Sequence, residues 1–191
     1  MKKIIFTLAV IFAFVAASSA QDEVFSKGDL VFGVGLGLGN NLGGTGYKTS
    51  IPPIVITGEY GLTDALIKKT GKGYVGVGGY LAYTANKSSY RWTSGEEYGW
   101  KWSYLIIGGR GAFHYQFVDK LDTYAGAIVG FNIASSSYYG WDGYTGGTAS
   151  AGGLTYSTFV GARYYFADKI SVFAEAGYGF NFLEAGLSIK F

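Results

Sequence analysis

Six charged residues recur at alternating positions within otherwise apolar segments, a spacing that would bring their charges into one interior. Three are acids and three are bases, so an enclosed space would let them pair with one another. They are Glu59, Arg110, Arg163, Glu175, Glu184 and Lys190. The sequence therefore predicts a buried charge network, provided that the fold turns these side chains toward a common space.

Few residues of this chain are candidates for catalysis or for binding a metal ion. His114 is the only histidine and cysteine is absent, so ligands for a metal ion are too few. One G-x-G-x-x-G match spans residues 71–76, but it lies at the start of a strand-like segment with no helix after it, so it does not indicate a nucleotide site. We predict no enzyme activity, no cofactor and no metal.

Aromatic residues are concentrated in two polar segments, where they could recognise a ligand. All four tryptophans fall in or beside these segments, with tyrosines and charged residues around them. Stacking on such rings supplies affinity while charges orient the partner, so the cluster predicts binding of a glycan or a protein. The alternative is a structural role, in which the rings stiffen the segments that carry them. The residues singled out are Trp92, Trp100, Trp102, Trp141, Tyr138 and Tyr139.

The first twenty residues have the pattern of an export signal. Two lysines precede an apolar run at 4–17, and small residues follow at 18–20. An apolar run of that length rises about 21 Å as a helix, which is short of a hydrocarbon core of roughly 30 Å. We therefore predict that residues 1–20 are a cleaved signal peptide and that 21–191 form one domain.

Charge and composition limit the classes of partner and of fold. Without the predicted leader the chain has 13 basic and 13 acidic residues, so no basic surface for nucleic acid is indicated. The absence of cysteine excludes disulfides and a lipoprotein anchor. With 32 Gly, 17 Tyr and 14 Phe, the composition favours strands over helices.

Beyond Gln21 the chain alternates between apolar and polar residues with a period of two, in eight segments. This is the pattern of strands that have one apolar and one polar face. Segment 183–191 is the clearest, because every odd residue is apolar and every even one is polar or glycine. Ile106 and Ile128 fall on the polar side of their segments. The eight segments lie at about 30–38, 54–62, 74–84, 104–115, 123–133, 156–166, 170–181 and 183–191.

The connections between these segments alternate in length. Three are long and polar, at 40–52, 85–99 and 135–152, whereas those at 118–120 and 167–168 are short. Long loops at one end and short turns at the other are typical of an outer-membrane barrel. We predict an all-β fold, an eight-stranded antiparallel up-and-down transmembrane β-barrel.

The chain resembles the small eight-stranded outer-membrane barrels of the OmpA/OmpX type over essentially all of 21–191. The resemblance rests on the strand pattern, the alternating connections and the final strand that ends in Phe191. It implies location in the outer membrane of a Gram-negative bacterium, and it implies that Phe191 is part of the signal read by the barrel-insertion machinery. Some barrels of this broad group modify lipids with a histidine near the outer rim, but strand parity places His114 inside, near the periplasmic end.

Barrel geometry then assigns roles to the two faces. Outward positions carry no charge, which suits contact with lipid and lipopolysaccharide. Aromatic residues near both strand ends suit interface belts. Predicted belt residues are Tyr60, Tyr115, Phe117, Tyr164, Phe166 and Phe191 on the turn side, with Tyr83, Phe131, Tyr156, Tyr178 and Phe180 on the loop side.

Eight strands leave an interior just wide enough for side chains, so the charges are expected to pair and fill the lumen. We predict a structural or surface-interaction barrel whose aromatic loops bind an extracellular glycan or protein. The alternative is a narrow pore or transport protein.

Overall fold

The computed structural model of this chain describes residues 23–39, 48–91, 95, 97–140, 147–180 and 182–191. These residues form eight antiparallel strands that pair in chain order, and the last pairs with the first to close a barrel. The predicted up-and-down barrel is confirmed, while the predicted signal peptide lies outside the described residues. The strands are β1 (Leu30–Leu38), β2 (Lys48–Gly61), β3 (Tyr74–Arg91), β4 (Glu97–Val118), β5 (Leu121–Tyr139), β6 (Ala149–Tyr165), β7 (Ile170–Tyr178) and β8 (Leu183–Lys190). No helix in the described part of the chain is long and apolar enough to cross a membrane.

The ring closes through a regular ladder between β1 and β8. Val31 faces Lys190 and Leu38 faces Leu183 at the two ends of this ladder. Beyond it, the Phe191 amide donates a hydrogen bond of 2.8 Å to the Leu30 carbonyl. Every strand therefore has a neighbour on both sides, so the protein itself can satisfy the backbone polar groups of the barrel wall.

The strands place apolar side chains outside the ring and polar ones inside, the reverse of a water-soluble barrel. Val34, Val129 and Leu187 are 58–59% exposed on the outer surface, whereas Glu59 is 1% exposed inside. Successive side chains of a strand point to opposite faces, so the period-two pattern produces this division. The predicted faces of the eight segments hold, with one exception described below.

The strands extend beyond their predicted limits at one end of the barrel. The boundaries predicted for the loops at 85–99 and 135–152 are wrong, because β3 continues to Arg91, β4 begins at Glu97, and β5 continues to Tyr139. Likewise, β2 begins within the predicted loop at 40–52. Strand pairing continues there although the outer face is no longer apolar, and so the sequence pattern does not reveal it.

This extension makes the barrel uneven in height. Strands β3 to β6 have 17–22 residues, whereas β1, β7 and β8 have 8 or 9. We call the part of β3–β6 that rises beyond the outer apolar surface the tall wall. The opposite side of the rim is low, since β7 ends at Tyr178 and β8 begins at Leu183.

Phe180 is the exception to the predicted faces. It is 3% exposed and packs inside the barrel, in one cluster with Val55 and Ile106. The preceding Gly179 has a φ of +136°, a conformation that other residues rarely adopt, and it interrupts the strand alternation. The prediction that Phe180 belongs to the outer aromatic belt is therefore wrong.

Residues 23–29 lie across the short-turn end of the barrel, and we call them the end cap. Phe25 is 3% exposed, and its ring stacks on the His114 imidazole with centroids 3.9 Å apart. Lys190 Nζ donates to the Val24 carbonyl at 3.2 Å, which ties the cap to β8. The end cap thus closes this end of the interior with an aromatic ring.

Val129→Arg should destabilise the barrel, because it places a charge within the outer apolar surface of β5. We expect the free energy of unfolding to fall by about 2–4 kcal/mol if this surface faces lipid. Urea unfolding of protein refolded in phosphatidylcholine vesicles measures the loss. Ser135→Arg, on the same face but beyond the apolar surface, is the control, with an expected loss of about 0–1 kcal/mol. Equal losses in both variants would contradict lipid contact at Val129.

Candidate functional site

The interior of the barrel holds a connected network of charged side chains. Arg163 donates from Nη1 to Asp122 Oδ2 at 3.1 Å and from Nη2 to Glu59 Oε2 at 3.2 Å. Arg110 Nη2 donates to Glu175 Oε1 at 2.9 Å and lies 3.9 Å from Glu59 Oε2. All five residues are buried. Each charge has a partner of opposite sign, which offsets much of the cost of removing ions from water.

His114 joins this network through both ring nitrogens. Its Nδ1 lies 2.9 Å from Asp122 Oδ1, and its Nε2 lies 2.9 Å from Glu59 Oε1. The imidazole is buried beneath Phe25 of the end cap, near the short-turn end. In the described part of the chain, no group of three or more His, Asp or Glu side chains could hold a metal ion. The geometry gives His114 the role of a bridge between two carboxylates.

Aromatic rings fill the space between the charged groups. The Tyr124 hydroxyl donates to Glu175 Oε1 at 2.8 Å, and its ring centroid lies 5.1 Å from the guanidinium carbon of Arg163. The Phe159 ring lies 4.4 Å from the guanidinium carbon of Arg110. Guanidinium groups stack favourably on aromatic faces, so these rings pack against the cations while the carboxylates accept their hydrogen bonds.

The structure joins four of the six predicted network residues through hydrogen bonds and ion pairs; Glu184 lies beside them, in register with Glu175 on the neighbouring strand, and only Lys190 lies apart. Glu184 is buried further toward the tall wall, where it accepts a hydrogen bond of 3.2 Å from the Tyr80 hydroxyl. Lys190 lies at the rim, with its side chain 20% exposed and its Nζ 3.6 Å from Asp29. Strand parity predicts correctly that Lys190 points inward, but it does not predict how far along the barrel axis the residue lies. The prediction that Lys190 belongs to the central network is therefore wrong.

Asp122 and His114 are network residues that the predicted charge set lacks. Segment five is predicted to start at Thr123, which leaves Asp122 in the adjoining turn. In the structure β5 begins at Leu121, and Asp122 lies inside directly opposite both Gln116 and Arg163. An acid at inward parity beside a short turn is the signal that would have identified it.

An apolar layer covers the network on the side of the tall wall. It includes Ile106 and Ile128, the two isoleucines on the polar side of their predicted segments, which are 1% and 6% exposed. A cavity between Tyr80, Phe159 and neighbouring side chains measures about 10 Å³, near the minimum that holds one water molecule. At this cavity the network and the apolar layer leave room for about one water molecule.

The inner face of the tall wall carries a row of aromatic rings. Trp100 and Trp102 lie two residues apart on β4, with ring centroids 6.2 Å apart. Tyr138 of β5 is in register with Trp100 and meets its ring edge-on at 5.7 Å. Tyr90 of β3 and Tyr98 of β4 continue the row, 5.9 Å apart. We call these five residues the aromatic face; Tyr90 is 62% exposed, and the tryptophans are half-buried.

The other predicted recognition residues do not join the aromatic face. Tyr139 follows Tyr138 on the same strand and so lies on the outer side, where its hydroxyl donates to the Ser88 carbonyl at 3.1 Å. Trp92 and Trp141 lie outside the described residues. Trp100 and Trp102 lie on a strand, and the prediction that places them in or beside a loop is corrected accordingly.

Phe191 lies on the outer face just after β8. Its side chain is 64% exposed, and its ring meets that of Phe32 edge-on, with centroids 6.1 Å apart. This position leaves the ring accessible from the membrane side. Its role as an insertion signal stays a prediction.

Comparison with known proteins gives structural likenesses only. No family model and no curated protein matches the chain. Ail, the attachment invasion locus protein of Yersinia pestis, in complex with the heparin analogue sucrose octasulfate, matches with a TM-score of 0.53 at 10% identity over 86% of this chain and 99% of its own. The outer membrane protein OprG of Pseudomonas aeruginosa matches with a TM-score of 0.50 at 11% identity, over 89% and 99%. At these identities the likenesses show the fold alone.

These likenesses agree with the closed ring of eight strands and its apolar outer surface. The chain has the fold of the small eight-stranded outer-membrane β-barrels. In such barrels short turns face the periplasm and the longer connections face outward. By this rule the end cap corresponds to the periplasmic end of such barrels, and the tall wall corresponds to their extracellular side.

Arg163→Met should weaken the barrel strongly, because it removes the cation that bridges the buried carboxylates of Glu59 and Asp122. We expect the free energy of unfolding to fall by about 3–5 kcal/mol, as when one partner of a buried ion pair is lost. Urea titration in lipid vesicles gives the value. Lys190→Met is the control at the rim, where the lysine faces one partly buried acid at 3.6 Å, and it should cost clearly less than Arg163→Met. A loss for Arg163→Met as small as the control's would refute the described network.

Proposed function

We propose that this protein is a surface-interaction barrel, in which the membrane-embedded ring anchors a wall that binds extracellular carbohydrate. The observation that carries the proposal is the aromatic face. Trp100, Trp102 and Tyr138 lie side by side on one face of a paired sheet, with ring centroids about 6 Å apart. Aromatic rings combine flat apolar faces with polar edges, a combination suited to stacking on sugar rings.

The rigidity of the tall wall supports this assignment. The strand ladder between β4 and β5 runs without interruption from Gly99 to Gln116, so the backbone that carries the rings is already ordered. A binding surface ordered in advance loses little conformational entropy when the ligand arrives. The low rim on the side of β7 and β8 leaves the aromatic face open in that direction within the described residues.

The filled interior supports a role as anchor and not as pore or enzyme. The charge network and the apolar layer are both buried inside the ring, and the cavity between them has room for about one water molecule. His114 has both nitrogens beside carboxylates and its ring beneath Phe25, so it is poorly placed to take a proton from an external substrate. Both features favour the structural interpretation of the interior.

Planar-bilayer recording tests the filled lumen directly. We expect no stable single-channel steps from the refolded protein, because ions would have to pass the apolar layer that contains Ile106 and Ile128. A unit conductance that changes when Arg110→Gln removes an inward charge would instead establish the narrow pore. Heat-modifiable gel mobility of each sample checks that the protein in the recording is folded.

The aromatic face is tested with a printed array of neutral and sulfated glycans, probed with labelled protein in detergent micelles. We expect bound glycans, and we expect the W100A/W102A variant to bind them at least tenfold more weakly, since a central aromatic contact contributes about 2 kcal/mol or more. Tyr139→Ala, an aromatic loss on the opposite face of the same wall, is the control and should retain binding.

The sulfated sugars are included because Ail is known in complex with a heparin analogue, although the likeness of this chain to Ail shows only the fold. If no glycan binds, or if the W100A/W102A variant binds as well as Tyr139→Ala, carbohydrate recognition by the aromatic face is excluded. A protein partner would then be the remaining class of ligand for this surface.

A further inference from the structure

Three lysines lie in a lateral row on the outer side of the barrel, two on the tall wall and one on the neighbouring strand β2. Lys87 of β3 pairs in register with Lys48 of β2 on one side and with Lys101 of β4 on the other. Residues opposite each other on neighbouring strands have Cα atoms only about 4.5–5.5 Å apart. All three lysines are exposed, and they share the outer face with Tyr139. We call them the lysine row.

The lysine row concentrates positive charge without compensation among the described residues. None of its members forms an ion pair there, and like charges directly opposite on a sheet destabilise it. The carboxylate of Glu97 lies near enough to sense Lys48 and Lys87, but it is already paired with Arg91 at 2.9 Å. An external anion would relieve this repulsion.

The height of the lysine row identifies the source of that anion. The outward residues Ile54, Tyr83 and Leu105 pair in one lateral row at the upper limit of the apolar surface. Lys87 lies four residues beyond Tyr83, about 13 Å along a tilted strand. Lysine side chains near a membrane boundary extend their ammonium groups to the headgroup level. The row therefore stands beside the outer leaflet's headgroups and not out in the solvent.

The surrounding surface offers hydrogen bonds to the same headgroup. Directly below the lysine row, Ser103, Ser135 and Ser150 pair laterally on β4, β5 and β6. They line a groove of about 370 Å³ with further hydroxyl groups of the tall wall. Beside it, Lys87, Lys101 and Tyr139 line a groove of about 320 Å³. A ligand here would meet cations and hydroxyl donors together.

We propose that the lysine row and the serine row below it form a binding site for the phosphorylated sugar headgroup of an outer-leaflet lipid, of the lipid A type. Lysine ammonium groups bind the phosphates, while the serine hydroxyls bind the sugar. This site lies on the outer face of the tall wall, opposite the aromatic face, so it is independent of the proposed carbohydrate binding there.

Native mass spectrometry in detergent micelles, with synthetic bisphosphoryl lipid A as the probe, tests the site. We expect the K48Q/K87Q/K101Q variant to bind about 100-fold more weakly, a factor of about five for each lysine beside an anionic surface. The matched control K68Q/K69Q/K120Q removes three lysines at the periplasmic end and should bind as the unaltered protein does. The K48R/K87R/K101R variant should retain binding.

Equal binding by the two triple glutamine variants would overturn the proposal, and so would equal binding of lipid A stripped of its phosphates. If excess inorganic phosphate displaces the lipid, the site takes free anions and the assignment to a lipid headgroup fails. Heat-modifiable mobility checks folding, which the glutamine substitutions should not impair, because they remove like-charge repulsion. If the triple variant nevertheless fails to fold, Lys87→Gln and Lys101→Gln alone must each weaken binding about fivefold, and unchanged binding would overturn the proposal.

Discussion

The pairing of β1 with β8 is the interaction on which the rest of this protein depends. Lipid offers no hydrogen bonds to a strand edge, so a sheet can cross a membrane only when its ends join. Here the ladder from Val31 to Leu38 on β1 meets β8 over its full length. Closure at eight strands also fixes the width of the interior, which side chains can just fill. Closure of the ring therefore determines both which face meets the surroundings and how tightly the inward side chains pack.

Charge pairing inside the lumen is a consequence of that narrow width. A polar inward face puts acids and bases within a few ångströms of one another, and each must find a partner or be neutralised. Arg163 meets this requirement by donating to two acids at once, Glu59 and Asp122. The inward Gly161 leaves the room that the network needs, since a Cβ there would come within 2.5 Å of the Tyr124 ring and 2.9 Å of Glu175. Small inward residues thus provide the space that the large inward side chains occupy.

The sequence predicts the faces of the strands better than their ends, and the reason is physical. Burial against lipid forces apolar and polar residues to alternate, so parity identifies Glu59 and Arg110 as inward residues. Beyond the apolar surface neither face has to be apolar, and the alternation no longer marks the strands that continue to Arg91 and from Glu97. Parity also gives no position along the barrel axis, which explains why the assignment of Lys190 to the central network is wrong. The reversal of Phe180 depends on the backbone conformation of Gly179, which the pattern does not encode.

The same alternation sets the two chemistries of the tall wall. Trp100 and Lys101 are neighbours in sequence, so a strand must turn one toward the axis of the barrel and the other toward the surrounding leaflet. A slip of one residue in the pairing of β3 with β4 would exchange the aromatic and basic faces. No contact with the hydrocarbon core fixes the register at this height. Tyr90 and Tyr98 form one cross-strand pair, and Arg91 and Glu97 form the next. The tyrosine rings meet on the inner face, whereas the ion pair lies on the outer face. These two contacts hold the register where the hydrocarbon core no longer does, and so they keep the aromatic rings inward and the lysines outward.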